Sequence, residues 1–147
     1  MRDIEHYLSG KAFAGGGHRF GEVFDPNTGR VQARVRLGGA AEIAAAVDAA
    51  KAVQPEWAAT NPQRRARVMF EFKRLLEANM DELALMLASE HGKVIADAKG
   101  DIQRGLEVVD FALGIPPLMK GEFTDGAGPG IDIYSMRQPL GVVAGIT

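Results

Sequence analysis

Apolar positions along the chain change their period three times, and each change marks a different kind of element. Over the first forty residues the pattern is short and turn-punctuated. Glu5–Ser9, carrying Tyr7 and Leu8, is followed by a turn at Gly10-Lys11 and a possible return strand at Ala12-Phe13-Ala14. Gly15-Gly16-Gly17 reads as a flexible connection. A strand-like stretch from Arg19 to Phe24 then meets Asp25-Pro26-Asn27-Thr28-Gly29, with proline at the second position of a turn and glycine closing it. Arg30 to Leu37 alternates polar and apolar residues with period 2, which predicts a strand with one wet and one buried face.

From Ala40 to about Leu118 the period becomes helical. An alanine-rich segment, Ala40–Val53, carries Ile43, Val47 and Ala50 on one stripe; Pro55 is expected to end it, and Trp57 to begin a brief turn. Asn61-Pro62 combines an N-cap with proline at the first helical position. The helix it opens places Met69, Phe72, Leu75 and Leu76 on its apolar side and runs to about Asn79. Asp81 is placed to cap a third helix, with Leu83, Leu87 and Ala88, that ends at Gly92. A fourth runs from about Val94 to Leu113 with Ile95, Ala98, Ile102, Gly105, Leu106, Val109 and Leu113 on one face, and Pro116-Pro117 stops it.

The last third changes again. Glu122–Gly130 reads as a glycine-rich surface loop, and Ile131–Arg137 alternates like an exposed or edge strand. After Pro139, the run Leu140-Gly141-Val142-Val143-Ala144-Gly145-Ile146 is almost continuously apolar, as a strand buried on both faces of a parallel sheet would be. Such a strand needs neighbours for its backbone and side chains. No second segment of this kind accompanies it, so the expectation is an N-terminal portion of a larger α/β protein, with a ligand beyond the strand's carboxyl end.

Composition narrows the function classes. Seventeen Lys+Arg against nineteen Asp+Glu give a formal charge of −2, without the basic stripe that a nucleic-acid or anionic-membrane partner requires. No apolar run approaches the roughly 18–20 residues of a bilayer span, and Met1–His6 has no apolar core of a signal peptide, so a soluble cytoplasmic protein is expected. The absence of cysteine removes disulfides, thiolate metal sites and any thiol nucleophile from these 147 residues.

Five groups of residues invite a chemical reading. Gly126–Gly130 lacks the spacing, the preceding strand and the following helix of a phosphate cradle, and Pro129 lacks an N–H, so a plain loop is expected. His6, His18 and His91 are scattered and give no metal site. Glu90-His91-Gly92-Lys93 fits a helix C-terminus, its cations placed against the helix dipole. The arginines at 30, 34 and 36 could form a basic groove but fit a solvated strand face. Arg104 has two readings: an Asp101–Arg104–Glu107 surface ladder, or a guanidinium that grips a carboxylate from a helix flank shared with Asp97, Asp101, Val108 and Phe111.

The order of these segments resembles the aldehyde dehydrogenase superfamily. The matching pieces are Asp25–Gly29, the Trp57 turn, the helix opened by Pro62 with Arg64-Arg65-Ala66, Glu90–Lys93, and above all Pro139–Thr147. Within it the chain is most similar to the CoA-acylating methylmalonate-semialdehyde dehydrogenases, through Gly100–Ala112 and Gly114–Gly121. The resemblance implies the N-terminal part of an α/β Rossmann-like domain: short β-hairpins, about four helices, one oligomerisation-type strand and a first parallel strand. It divides the chain into cofactor-domain residues 1–121, an oligomerisation hairpin segment at 122–139, and a central strand at 140–147. It further implies oxidation of malonate or methylmalonate semialdehyde with NAD, transfer of the acyl group to coenzyme A, and homo-oligomers paired through 131–138. Arg104 is implied to bind the substrate carboxylate and Thr147 to begin the cofactor contacts; no catalytic or metal residue falls within the chain, which alone is expected to be inactive. Two alternatives are another family member, or a self-contained helical oligomerisation or binding module.

Overall fold

A computed structural model describes residues 2–147. Helix α4 (Ile95–Leu113) is central to the helical half, packing against α2 (Pro62–Ala78), α3 (Met80–His91) and the single-turn α5 (Ile115–Leu118). The buried positions of this half are Ala84 on α3 with Ala98 and Leu106 on α4. Two ion pairs add to the packing: Lys73 reaches Asp110 at 3.1 Å from α2 to α4, and Lys99 reaches Asp81 from α4 to α3.

The N-terminal half is a three-stranded sheet in the order β1-β5-β4, with β1 at Arg2–Ile4, β4 at Phe20–Phe24 and β5 at Val31–Arg36. A separate hairpin joins β2 (His6–Leu8) to β3 (Lys11–Phe13). β4 and β5 are antiparallel, with Phe20 opposite Arg36, and β1 runs parallel to β5 with Asp3 opposite Arg34. Arg34 grips Asp3 at 2.6 and 2.9 Å, and both Arg34 and Arg36 lie over the Phe20 ring, at 4.5 and 4.8 Å. These two arginines therefore tie strands together rather than line a groove. β1 was not expected: three residues have no period to read, and the strand exists only through distant β5.

Helix α1 (Ala40–Ala59) departs from expectation by running through Pro55. The proline ring removes one intrahelical hydrogen bond, but the next turn is closed at its end by Thr60. The Thr60 N–H donates to Glu56 and Trp57 carbonyls at 3.1 and 3.2 Å, and its hydroxyl to Glu56 at 2.9 Å. At the other end, Glu42 reaches back to the Gly39 N–H at 2.8 Å and also accepts the Gly16 N–H at 2.9 Å. One carboxylate thus caps α1 and fixes the triple-glycine connection to it, and these donors pull its pKa down to about 2.

α2 begins as read, with Asn61 accepting the Gln63 N–H at 2.9 Å. Its apolar side is divided, however: Met69 and Leu76 turn inward while Phe72 and Leu75, with Val68, face out. α3 starts at Met80, one residue before the expected cap at Asp81, with Asn79 in the N-cap position. On α4, Gly105 is exposed instead of facing the core. Pro116 and Pro117 sit inside α5, where the first turn of a helix tolerates them.

Two expectations near the C-terminus are corrected. Residues 123–128, read as loop, form β6 (Phe123–Gly128), paired antiparallel with β7 (Ile131–Tyr134). The Asp132 carboxylate accepts the Gly126 N–H at 2.9 Å, and Ser135 and Glu122 close the ribbon's open end at 2.8 and 2.9 Å. Cross-strand bonds thus overrule the glycine-rich composition. Leu140–Ile146, read as a buried parallel strand, pairs with no described residue and is irregular, with Leu140 and Ile146 almost fully exposed. A ladder needs a partner strand, and no described segment provides one.

The accessible surface is 11,232 Å² for 15.7 kDa, against about 7,300 Å² for a compact monomer of this mass, an excess of about 3,900 Å². A self-contained helical module would have covered those faces.

The two halves meet where the Asp25–Gly29 turn abuts the end of α3. Gly92 caps α3 in the left-handed region at φ 81°, and a Cβ there would fall 2.7 Å from the Pro26 ring. Gln32 on β5 reinforces this clasp by donating to the Ser89 carbonyl at 3.0 Å. Gly92→Ala should cost more than about 1 kcal/mol in chemical denaturation, since both backbone and space oppose a side chain; an unchanged midpoint would show the clasp to be loose. A carboxylate held below its usual 4.5 stabilises the fold above that pH and loses its contribution as pH falls toward about 2. Glu42→Gln should therefore lower the melting temperature at pH 7 and flatten its decline between pH 4.5 and 2; an acid slope identical to that of the unaltered chain would dismiss this role.

Candidate functional site

The residues that gather charge and exposed apolar surface lie along one side of α4. Spacing places Asp97, Asp101, Arg104, Val108 and Phe111 on a common stripe, and the structure keeps them there. The stripe begins at the clasp, because Lys93 follows Gly92 directly and turns its amine onto the first two turns of α4.

Lys93 pairs with Asp97 at 2.9 Å and with Asp101, and its side chain is only 16% exposed. Hydrogen bonds that it donates to Asp101 first and Asp97 second hold the Lys93 amine above the usual lysine range. Asp101 in turn accepts from Lys93 through Oδ2 and from Arg104 through Oδ1. Its carboxyl is pushed below the ordinary aspartate range, by the Lys93 hydrogen bond foremost and then by Arg104.

Arg104 is the outer member of this set. Its side chain is 68% exposed, and it bends back past Gly100 toward the previous turn of the helix, where it meets Asp101. The Asp101–Arg104 half of the surface ladder is therefore formed, and the guanidinium is also open to solvent. Beyond it, Val108 and Phe111 are each 70% exposed, followed by Ile115 on α5. A cation thus precedes a short apolar strip, an arrangement able to seat a small molecule that carries an anion at one end and an apolar body.

Thr147 lies on a separate element, at the end of the exposed 140–147 segment. Glycines 126, 128 and 130 belong to the β6–β7 ribbon and form no phosphate cradle. Among the described residues, no three His, Asp or Glu side chains gather as a metal site, and no helix is long and apolar enough to cross a membrane. A groove of 380 Å³ lies between α2 and α4–α5, lined by Trp57, Pro62, Arg65, Met69, Ile115 and Met119.

Two functional placements were missed in the sequence. Lys93 was assigned to the end of α3, whereas it serves the start of α4; the signal was its i, i+4, i+8 spacing with Asp97 and Asp101. Glu42 was not singled out, although a glycine N-cap followed three residues later by glutamate carries half of a capping box.

Comparison with known proteins bears on this site. Residues 13–147 match the Aldehyde dehydrogenase family. The chain is 42% identical over all its 147 residues to a malonate-semialdehyde dehydrogenase of Pseudomonas aeruginosa, covering 29% of that protein. It is 46% identical over 127 residues to a mitochondrial, acylating methylmalonate-semialdehyde dehydrogenase of Arabidopsis thaliana, 86% of this chain and 21% of that one. Among solved structures it superposes with a TM-score of 0.91 on a Sinorhizobium meliloti protein assigned as a methylmalonate-semialdehyde dehydrogenase and complexed with NAD. The two are 60% identical, and the match covers 96% of this chain and 29% of the other. The methylmalonate-semialdehyde dehydrogenase of Oceanimonas doudoroffii gives a TM-score of 0.89 at 41% identity, covering 95% of this chain and 28% of that one. The chain therefore spans less than a third of the length of the relatives it matches.

Proposed function

The chain belongs to the aldehyde dehydrogenase family, and from that premise we propose that it lines the substrate pocket of an enzyme oxidising a carboxylated semialdehyde. The substrate is malonate or methylmalonate semialdehyde; NAD would supply the hydride acceptor and coenzyme A the acyl acceptor. The observation that carries this reading is the α4 stripe: an accessible guanidinium at Arg104, followed by Val108 and Phe111.

Arg104 binds the substrate carboxylate. A planar guanidinium offers two parallel donors, which matches a carboxylate in geometry as well as charge. Val108 and Phe111 shed water beside the short carbon chain, which strengthens the ion contact by lowering the local dielectric. Holding the carboxylate in one place orients the aldehyde at the other end of a three-carbon backbone, so one charged contact serves both recognition and alignment.

Toward NAD the chain offers the exposed Thr147, whose hydroxyl can donate one hydrogen bond and accept others. When bound, the dinucleotide supplies the hydride acceptor; this chain's part is to present that hydroxyl at the end of the 140–147 segment. With no cysteine present, the chain supplies no thiol nucleophile. Taken alone, the 147 residues should bind weakly and turn nothing over. The exposed β6–β7 ribbon, with Ile131, Ile133 and Tyr134 uncovered, supplies a contact between copies of the enzyme.

In the full-length enzyme, Arg104→Leu should lower kcat/KM for the carboxylated semialdehyde by at least about 30-fold, equivalent to about 2 kcal/mol of lost ion contact. An uncarboxylated aldehyde of similar length should be handled unchanged. Equal losses on both substrates would overturn the carboxylate role.

A further inference from the structure

Arg104 does not wait unpartnered for a substrate. Its guanidinium rests on Asp101, so an incoming carboxylate meets a resident one that already holds the same donor. Lys93, Asp97, Asp101 and Arg104 carry two positive and two negative charges, leaving the cluster neutral. An anionic substrate is therefore not drawn by net charge, and binds only through exchange of partners.

The two cations on Asp101 are not equivalent. Lys93 is 16% exposed and held by Asp97 as well, whereas Arg104 is 68% exposed on a long side chain. If Arg104 leaves, Asp101 keeps Lys93 and remains satisfied. If Lys93 were lost, Asp101 would fall back on Arg104 alone. The set thus has an anchored end and a releasable end.

We propose that Asp101 is a specificity-determining residue. It parks the Arg104 guanidinium over Gly100, and only a ligand that brings its own carboxylate takes the guanidinium away. An uncarboxylated aldehyde offers nothing in exchange, so Arg104 stays on Asp101. The arrangement gives up some affinity for the proper substrate, because the resident carboxylate both competes with it and repels it. This inference rests on the reading of Arg104 as the carboxylate-binding residue.

The test uses the full-length enzyme and two substrates, the carboxylated semialdehyde and an uncarboxylated aldehyde of similar length. Asp101→Asn removes the competitor and should lower KM for the carboxylated substrate about three- to fivefold, the worth of one exposed charge pair. Neither kcat nor the KM of the uncarboxylated aldehyde should move. Lys93→Gln works in the opposite direction: it leaves Asp101 to Arg104 and should raise KM for the carboxylated substrate only. Equilibrium binding of malonate, an unreactive dicarboxylate, should follow the same two directions, and Asp101→Glu should restore the original KM. A merely structural Asp101 would lower thermal stability and weaken both substrates alike, which would overturn the proposal. It also falls if Arg104→Leu abolishes the preference for carboxylated substrates while Asp101→Asn leaves the KM ratio unchanged; the Arg104 reading then stands. If Arg104→Leu leaves the preference intact, that earlier reading fails first, and this proposal with it.

Discussion

Helix α4 can face only one way. Ala98 and Leu106 are buried against its neighbours, while Lys73 of α2 pairs with its Asp110 and its own Lys99 pairs with Asp81 of α3. Those contacts fix the rotation of the helix about its own axis. At 3.6 residues per turn the opposite side is then determined, and Arg104, Val108 and Phe111 must point outward together. The chemistry proposed for this protein depends on that rotation. A helix packed through larger side chains would stand farther from α3, whereas alanines at positions 84 and 98 let the two helices approach closely.

How much of this was legible in the sequence depended on whether the deciding interactions were local. The β2–β3 hairpin, the Asn61-Pro62 helix start and the glycine end of α3 are written in neighbouring residues and were read from them. β1 is defined by the distant β5, so its own residues carry little signal, whereas β6 pairs with the adjacent β7 and was hidden by a glycine-rich composition that reads as loop. Pro55 misled for a related reason: its local penalty is real, but the helix beyond it is closed by Thr60, outside the breaker's own neighbourhood. At the site, the stripe from Asp97 to Phe111 was visible as a helical repeat and the Asp101–Arg104 contact as an i, i+3 pair. The Lys93 bridge crosses from one helix end to the next, and helix-by-helix reading assigned it to the wrong one.

The excess of exposed surface places the chain in its wider setting. An excess of about 3,900 Å² means that these residues leave sizeable faces uncovered by one another. It is distributed over several places: the outer side of α2, the β6–β7 ribbon, the Leu140–Ile146 segment and the α4 stripe. These faces differ in kind. The ribbon and the apolar segment offer unpaired backbone to another strand, whereas the α4 stripe is headed by an ordered set of charges. That difference separates surfaces suited to packing from a surface suited to a ligand.

The clasp between Pro26 and Gly92 has a consequence for how the chain can vary. Surface turns usually absorb extra residues at little cost, because nothing rests on their tips. Here the tip bears on the residue immediately before Lys93, so the length of the 25–29 turn is coupled to the position of that amine. An insertion there would press on Gly92 and be passed through a single peptide unit to Lys93 and the carboxylates of α4.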